Sequence, residues 1–360
     1  MERKDIMENR VSELAENIRR LAKLYKGGNG NRSIRAHLEN TAVAVERLLV
    51  VNHDNFNEKQ VKKRLGSIGV KSDSISYVHM HDGRGRIGLY AYTKSGCIKT
   101  QKMAEVIGET LGLSVVPARD ERSIVAPKRM YFVLYEQTAY TVLQGSAVLS
   151  KNKGEVSGDS FTMETVEDGR AVMAIADGMG TGTPAAGKSM MVIDFVERLF
   201  ENGFEAEAIP DMINSAIIET EADNPVTMDL ATVDLNNGMG RIVKMGGAAS
   251  YILRKGKVMI LRPSSLPAGV LADVEADVWE EQFEDGDYVI MVSDGVVDCL
   301  PFYDKESKLG EIIEKMKCRN PQNMAEHILS ECRYFCGDEN GDDMTVLVMG
   351  VWKTKGLQRF

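Results

Sequence analysis

The sequence predicts an α+β protein whose second half is mainly antiparallel sheet, with helices in pairs. Three observations carry this. Residues 228–261 read as short apolar runs joined by the tight turns Asn236-Asn237-Gly238 and Lys255-Gly256, a pattern of consecutive hairpins. Two helical segments, about 184–203 and 206–220, precede them. Short apolar strands on either side run into acidic turns, as Ala174-Ile175-Ala176 runs into Asp177-Gly178. Sheet and helix arranged in this way suit a layered α+β domain.

A chain of 360 residues is long enough for more than one core. Residues 1–55 carry two amphipathic helices. The first spans 3–24, with Ile6, Val11, Leu14, Ile18, Leu21 and Leu24 at helical spacing, and Gly27-Gly28-Asn29-Gly30-Asn31 stops it. The second spans 33–50, with Ile34, Leu38, Val45 and Leu49 on one side. Both stripes suit core positions, and equally a stalk or a homodimer contact. Residues 56–127 form a small mixed α/β domain: helix 57–67, strands 75–82 and 87–94, helix 98–111, strand 113–117. Gly83, Gly85 and Gly88 fit the dinucleotide pattern G-x-G-x-x-G, but a strand follows where that pattern needs a helix. His79 and His81 share a strand face without a carboxylate or thiol partner and read as surface residues.

The third domain, 128–353, has strands at 130–136, 139–149, 160–166 and 171–176, then the helix pair. Strands at 228–235, 240–246, 248–254, 257–261 and 288–292 follow. A last helix opens at Asn320 as cap with Pro321 in the first position, and the final strand covers 344–351.

Charge divides the chain. Residues 1–127 hold 22 Lys+Arg and 15 Asp+Glu, a balance of +7; the remainder holds 22 and 38, a balance of −16. The acidic part repels nucleic-acid phosphates and suits hard divalent cations. The five cysteines, Cys97, Cys299, Cys318, Cys332 and Cys336, are an odd and scattered set that argues against a disulfide framework. No apolar run approaches the roughly 20 residues of a membrane helix, and the charged N-terminus lacks a signal-peptide core. These features predict a soluble, cytoplasmic protein, or a membrane-associated one if the chain is a fragment of a longer protein.

Four acidic signals sit at strand ends: Ser157-Gly158-Asp159-Ser160, Asp177-Gly178-Met179-Gly180, Ser293-Asp294-Gly295 and Gly341-Asp342-Asp343. A carboxylate at a strand end is rigidly held yet reaches solvent, and a neighbouring glycine lets a ligand approach the backbone. Each Asp-Gly alone is an ordinary turn. Converging carboxylates repel one another unless a cation lies between them, and with no Cys or His among them the cation is Mg²⁺ or Mn²⁺.

The series Val156-Ser157-Gly158-Asp159-Ser160, Asp177-Gly178-Met179-Gly180-Thr181-Gly182, Met291-Val292-Ser293-Asp294-Gly295 and Asp342-Asp343-Met344-Thr345 resembles the metal-dependent PPM/PP2C protein phosphatases, above all their bacterial sporulation branch, across roughly 128–353. The resemblance implies a β-sandwich flanked by helix pairs with two ions inside, and a regulatory role for the region before it. Asp177 would bridge the ions, helped by the Gly178 carbonyl. Asp159 would help hold one ion and Asp294 with Asp342 the other. Asp342 is preferred to Asp343, with the register open by one. Two ions roughly 3.5–4 Å apart would lower the pKa of a bridging water for in-line attack on phosphorus. The substrate implied is a phosphoserine on an anti-anti-sigma factor, and the output activation of a sporulation sigma factor. One departure stands out: the sporulation phosphatase carries a multi-spanning membrane segment that nothing here can supply. His327, on a helix, reads as structural; Lys151 or Lys153 could meet substrate phosphate.

Gly182-Thr183-Pro184-Ala185-Ala186-Gly187-Lys188-Ser189 also fits the P-loop G-x-x-x-x-G-K-[ST], making a P-loop NTPase the competing enzyme class. Thr183 as cap and Pro184 as first residue start the helix early, which would place Gly187 and Lys188 inside it. The hairpins of 228–261 also conflict with the parallel sheet such a domain needs. A third class is a non-catalytic scaffold that kept the fold. The acidic set argues against it.

Overall fold

The structure is a computed structural model that describes residues 14–23, 34–35, 37–42, 45, 51–52, 57–79, 84–118, 121–151, 157–166, 169–178, 183–219, 225–272, 274–336 and 341–354. By internal contacts the chain forms two compact units, one of residues 1–46 with 140–353, the other of 47–139 with 354–360. Among the described residues no helix is long and apolar enough to cross a membrane.

In the smaller unit, β1 (Val51–Asn52), β2 (Val70–His79), β3 (Gly85–Thr93), β7 (Met130–Glu136) and β5 (Val115–Pro117) lie side by side in that order. A short ribbon pairs β4 (Ile98–Lys99) with β6 (Ile124–Val125). Helices α1 (Glu58–Ser67) and α2 (Thr100–Leu111) cover the sheet through Val61, Leu65, Met103 and Ile107, all fully buried. Asn57 caps α1 with its side chain on the Gln60 amide. β7, which the sequence reading placed at the head of the third domain, is held here by β3 and β5. Gly85 and Gly88 are strand residues. His79 is half-buried and stacks on Tyr77 at 5.3 Å. His81 lies outside the described residues.

The larger unit is a four-layer sandwich. One sheet orders β15 (Asp277–Gln282), β12 (Met239–Met245), β11 (Val226–Asp234), β10 (Arg170–Gly178) and β9 (Asp159–Thr165). The other orders β14 (Lys257–Leu261), β13 (Ser250–Arg254), β16 (Asp287–Val292), β17 (Met344–Lys353) and β8 (Tyr140–Leu149). Every neighbouring pair in both sheets is antiparallel.

Side-chain alternation along each strand decides the layers. On β10, Ala171, Met173 and Ile175 face the second sheet and meet Val289, Met291, Leu347 and Met349. Val172, Ala174 and Ala176 face outward onto α3 (Thr183–Glu201) and α4 (Ile209–Glu219). The outer face of the second sheet packs through Ile290, Val292, Val346 and Val348 on α5 (Asp294–Asp298), α6 (Lys305–Lys315) and α7 (Pro321–Cys336). The central strands β10, β11, β16 and β17 are therefore buried on two faces, which is why they read as nearly continuous apolar runs.

The predicted hairpins stand: β11 pairs β12 and β13 pairs β14. Lys255 and Gly256 both adopt positive φ in the second turn. In the N-terminal region, residues 14–22 and 37–42 are helical, but Leu14, Leu21 and Ile34 of the predicted stripes are exposed while Ala15, Ala22 and Ala42 are buried. Residues 3–13 and 24 of the first predicted helix lie outside the described residues.

Candidate active site

The last residues of β10 and the first of β9 are partners in the ladder, so Asp177 stands directly opposite Asp159. Two like charges across an antiparallel pair destabilise it, so something other than strand pairing put them there. The second sheet brings a matching pair. Asp294 opens α5 straight after β16, and Asp342-Asp343 leads into the neighbouring β17. Ser293 locks these two segments together: its amide donates to the Thr345 carbonyl at 3.0 Å, and its hydroxyl accepts the Thr345 amide at 2.8 Å.

Glycine is required where the elements meet. A Cβ on Gly178 would strike the Ala185 carbonyl of α3, and one on Gly295 would strike the Asp343 carbonyl. These close approaches press the strand end against α3, and the start of α5 against the β17 lead-in.

The electrostatics follow from this crowding. Burial first, then the charges of Asp159, Asp294, Asp342 and Asp343, push the Asp177 carboxyl up to about 8. Burial raises Asp159 to about 6, against the opposing pull of the Thr345 and Ser293 hydroxyls. Asp294 reaches solvent, yet surrounding protein and the Asp342 charge raise its pKa too. The acids act on one another with no cationic side chain among the leading influences on any of the three.

Asp159 Oδ2 is buried without a hydrogen-bond partner. An all-oxygen donor set, uncompensated negative charge and an orphaned carboxylate oxygen together fit a hard divalent cation. Among the described residues, no three acidic, His or Cys side chains already stand as a closed ligand cage. The carboxylates are gathered but not yet wrapped around a point.

Asp343 differs from its neighbours. Its Oδ1 accepts the amide of Lys151 at 2.7 Å and its Oδ2 the amide of Gly158 at 2.6 Å. It closes the segment that precedes Asp159, whereas Asp342 is exposed. The Lys151 side chain is exposed while its backbone amide is held by Asp343; Lys153 lies outside the described residues. His327 is an exposed residue of α7.

The structure does not form a P-loop at Gly187-Lys188-Ser189. Gly187, Lys188 and Ser189 lie within α3, which begins at Thr183, so their amides belong to the helix. Ser189 is fully buried, with its hydroxyl on the Ala186 carbonyl at 3.1 Å and beside Ser160 Oγ at 2.8 Å. The sheets of this unit are antiparallel, not the parallel array of a P-loop domain.

The sequence reading missed one charged group beside the site. Asp229 and Lys244 are buried partners on β11 and β12. The available signal was parity: each shares the sheet face of apolar residues two positions away.

The family model described as stage II sporulation protein E (SpoIIE) matches residues 167–352. The chain belongs to the SpoIIE family. It is 30% identical over 300 residues to stage II sporulation protein E of Priestia megaterium, covering 82% of this chain and 51% of that one. It is 24% identical over 202 residues to the phosphoserine phosphatase RsbU of Bacillus subtilis, covering 54% and 59%. The chain thus spans little more than half the length of these relatives. Its fold is that of the PP2C phosphatase domain and regulatory-domain fragment of SpoIIE from Bacillus subtilis, with a TM-score of 0.63 over 99% of both chains at 22% identity. The resemblance to the PPM/PP2C family and the α+β expectation therefore both stand.

Proposed function

We propose that the larger unit is a metal-dependent phosphatase acting on phosphoserine or phosphothreonine in a protein. The observation that carries this is the convergence of Asp159 and Asp177 from one sheet with Asp294 and Asp342 from the other, with no cationic side chain of the described residues among the leading influences on them. SpoIIE membership and the phosphoserine phosphatase among its relatives support the same reading. Asp159, Asp177, Asp294, Asp342 and the Gly178 carbonyl would hold two ions, Mn²⁺ or Mg²⁺. When bound, these ions supply charge neutralisation for the phosphoryl group and acidify water.

The protein's part is placement. β10 and β16 are rigid, buried strands that fix the backbones of Asp177 and Asp294. The solvent-facing side chains of Asp294 and Asp342 would turn inward to complete the cage, Asp342 giving up the bond that its Oδ1 accepts from the Asp343 amide at 2.9 Å. Asp343 serves as a clamp on the Gly158 amide and not as a ligand. By resemblance the substrate is a phosphorylated anti-anti-sigma factor, with residues 1–127 as the regulatory part. The test is hydrolysis of a phosphoserine protein by the purified chain, with Mn²⁺ and with chelator. No Mn²⁺-dependent phosphate release from any phosphoserine substrate would leave the scaffold reading standing instead.

A further inference from the structure

Directly beneath the carboxylate cluster the inter-sheet core turns polar. Lys244 is fully buried and Asp229 is 3% exposed, among apolar neighbours. They face each other across β11 and β12, and the Lys244 ammonium donates to Asp229 Oδ2. It also donates to Ser250 Oγ at 2.9 Å. Ser250 begins β13 of the other sheet, so this bond ties the two sheets together near the mouth of the sandwich.

The register places the group. Asp177 pairs with Thr227 and Ile175 with Asp229, so Asp229 lies one same-face step inside Asp177. Its second oxygen, Oδ1, is buried with no hydrogen-bond partner. Asp229 lines a narrow crevice with Asp177, Thr227, Gly247, Ser293 and Asp294. Gly247, at φ +79°, keeps this crevice open: a Cβ there would lie 3.3 Å from Asp229 Oδ1.

A buried ion pair is a poor source of stability, since desolvation offsets its attraction and apolar side chains of similar volume do as well. Its position here, under the acids and across both sheets, calls for another role. We propose that Asp229, Lys244 and Ser250 are positioning residues for the metal carboxylates. They set the spacing of the two sheets where Asp177 and Asp294 emerge, and Asp229 Oδ1 is an outer acceptor behind them. Groups behind metal ligands typically matter to metal affinity by 10–100-fold. This inference rests on the metal reading of the site.

The test uses the full chain carrying Asp229→Leu with Lys244→Met, so that no lone charge is left buried. Calorimetric Mn²⁺ titration, thermal unfolding with chelator and phosphatase activity against Mn²⁺ concentration are compared with the parent. The double variant should unfold at a temperature equal to or above the parent's, yet bind Mn²⁺ at least tenfold more weakly, with activity returning at high Mn²⁺. A folded double variant with parental Mn²⁺ affinity overturns the inference. If the double variant does not fold, Ser250→Ala decides. It removes the hydroxyl that accepts from Lys244 and donates to Asp229 Oδ2 at 3.5 Å across the sheets while leaving the ion pair, and unchanged Mn²⁺ affinity in it overturns the inference equally. The parent and Asp177→Asn are run alongside. A parent that binds no Mn²⁺ sinks the metal reading and this one with it, whereas Mn²⁺ binding that Asp177→Asn abolishes keeps the two questions apart.

Discussion

The carboxylate of Asp343 accepts the backbone amide of Gly158 at 2.6 Å, joining residues 185 positions apart. Gly158 immediately precedes Asp159, so this bond sets where β9 begins and hence where Asp159 meets Asp177. With the Lys151 amide on its other oxygen, Asp343 spans both ends of one segment.

Asp343→Ala should therefore weaken the protein modestly and its metal use more. Two amides lose a charged acceptor, a cost of about 1–3 kcal/mol for a partly buried group. Asp343→Asn keeps one acceptor and should lose less, with excess Mn²⁺ restoring much of its activity. Urea unfolding and Mn²⁺ activation curves measure both effects. If Asp343→Ala shifts neither, the clamp is of no consequence.

Asp177 and Lys188 separate the two enzyme classes. Asp177→Asn should remove nearly all Mn²⁺-dependent phosphatase activity, because the half-buried carboxylate proposed to hold both ions is lost. Lys188→Ala should retain most of it, Lys188 being a residue of α3 beyond the loop. Circular dichroism must first show that both variants fold. ATP hydrolysis that Lys188→Ala abolishes would reverse the assignment.

Stability of the metal-free protein should fall as pH rises. Asp177 and Asp159 have folded pKa values near 8 and 6, raised from 3.8, so between those limits the folded state holds protons that the unfolded state has released. Their contribution is complete below about pH 4 and is lost as pH climbs through 6 and then 8. Chelator-treated protein should show a melting temperature that declines from pH 5 to 8.5, with a shallower decline in Asp177→Asn. Mn²⁺ should reverse the trend, since metal binding favours the ionised carboxylates. A flat profile in chelator would contradict the coupling of these acids.

Two glycines make a contrasting pair. Gly187 sits exposed in α3, and a Cβ added there would meet no atom within 4 Å, so Gly187→Ala should raise stability by about 0.5–1 kcal/mol at unchanged activity. Gly178→Ala meets the Ala185 carbonyl, which belongs to helix backbone and cannot swing aside. It should lose activity and melt several degrees lower. Melting curves and initial rates test the pair, and loss of activity in Gly187→Ala would favour a phosphate-binding loop.

Local pattern was enough for most elements. β7 was placed at its observed ends, and β14 with its turn was legible from Lys255-Gly256, because hairpins and helix faces depend on residues near one another. β15 was not seen. Its sequence Asp-Val-Trp-Glu-Glu-Gln alternates half-buried and exposed positions at a sheet edge, so it never shows an apolar run. The helices α5 and α6 were missed as well. α5 has only five residues, and α6 is mostly charged with three buried positions.

The acidic residues of the site could be listed from the sequence alone, since Asp beside Gly at the end of an apolar strand is a local feature. Their division of labour could not. Asp342 and Asp343 are identical side chains one residue apart, and only the folded chain turns one toward solvent and the other onto the amides of Lys151 and Gly158. The charged pair beneath them needed the same information. Asp229 and Lys244 each look like a stray polar residue in an apolar strand, and their burial together follows from how β11 and β12 pair and how the second sheet covers them. Strand pairing and sheet stacking join residues far apart in the chain, and their free energy lies in contacts that no local window of sequence contains.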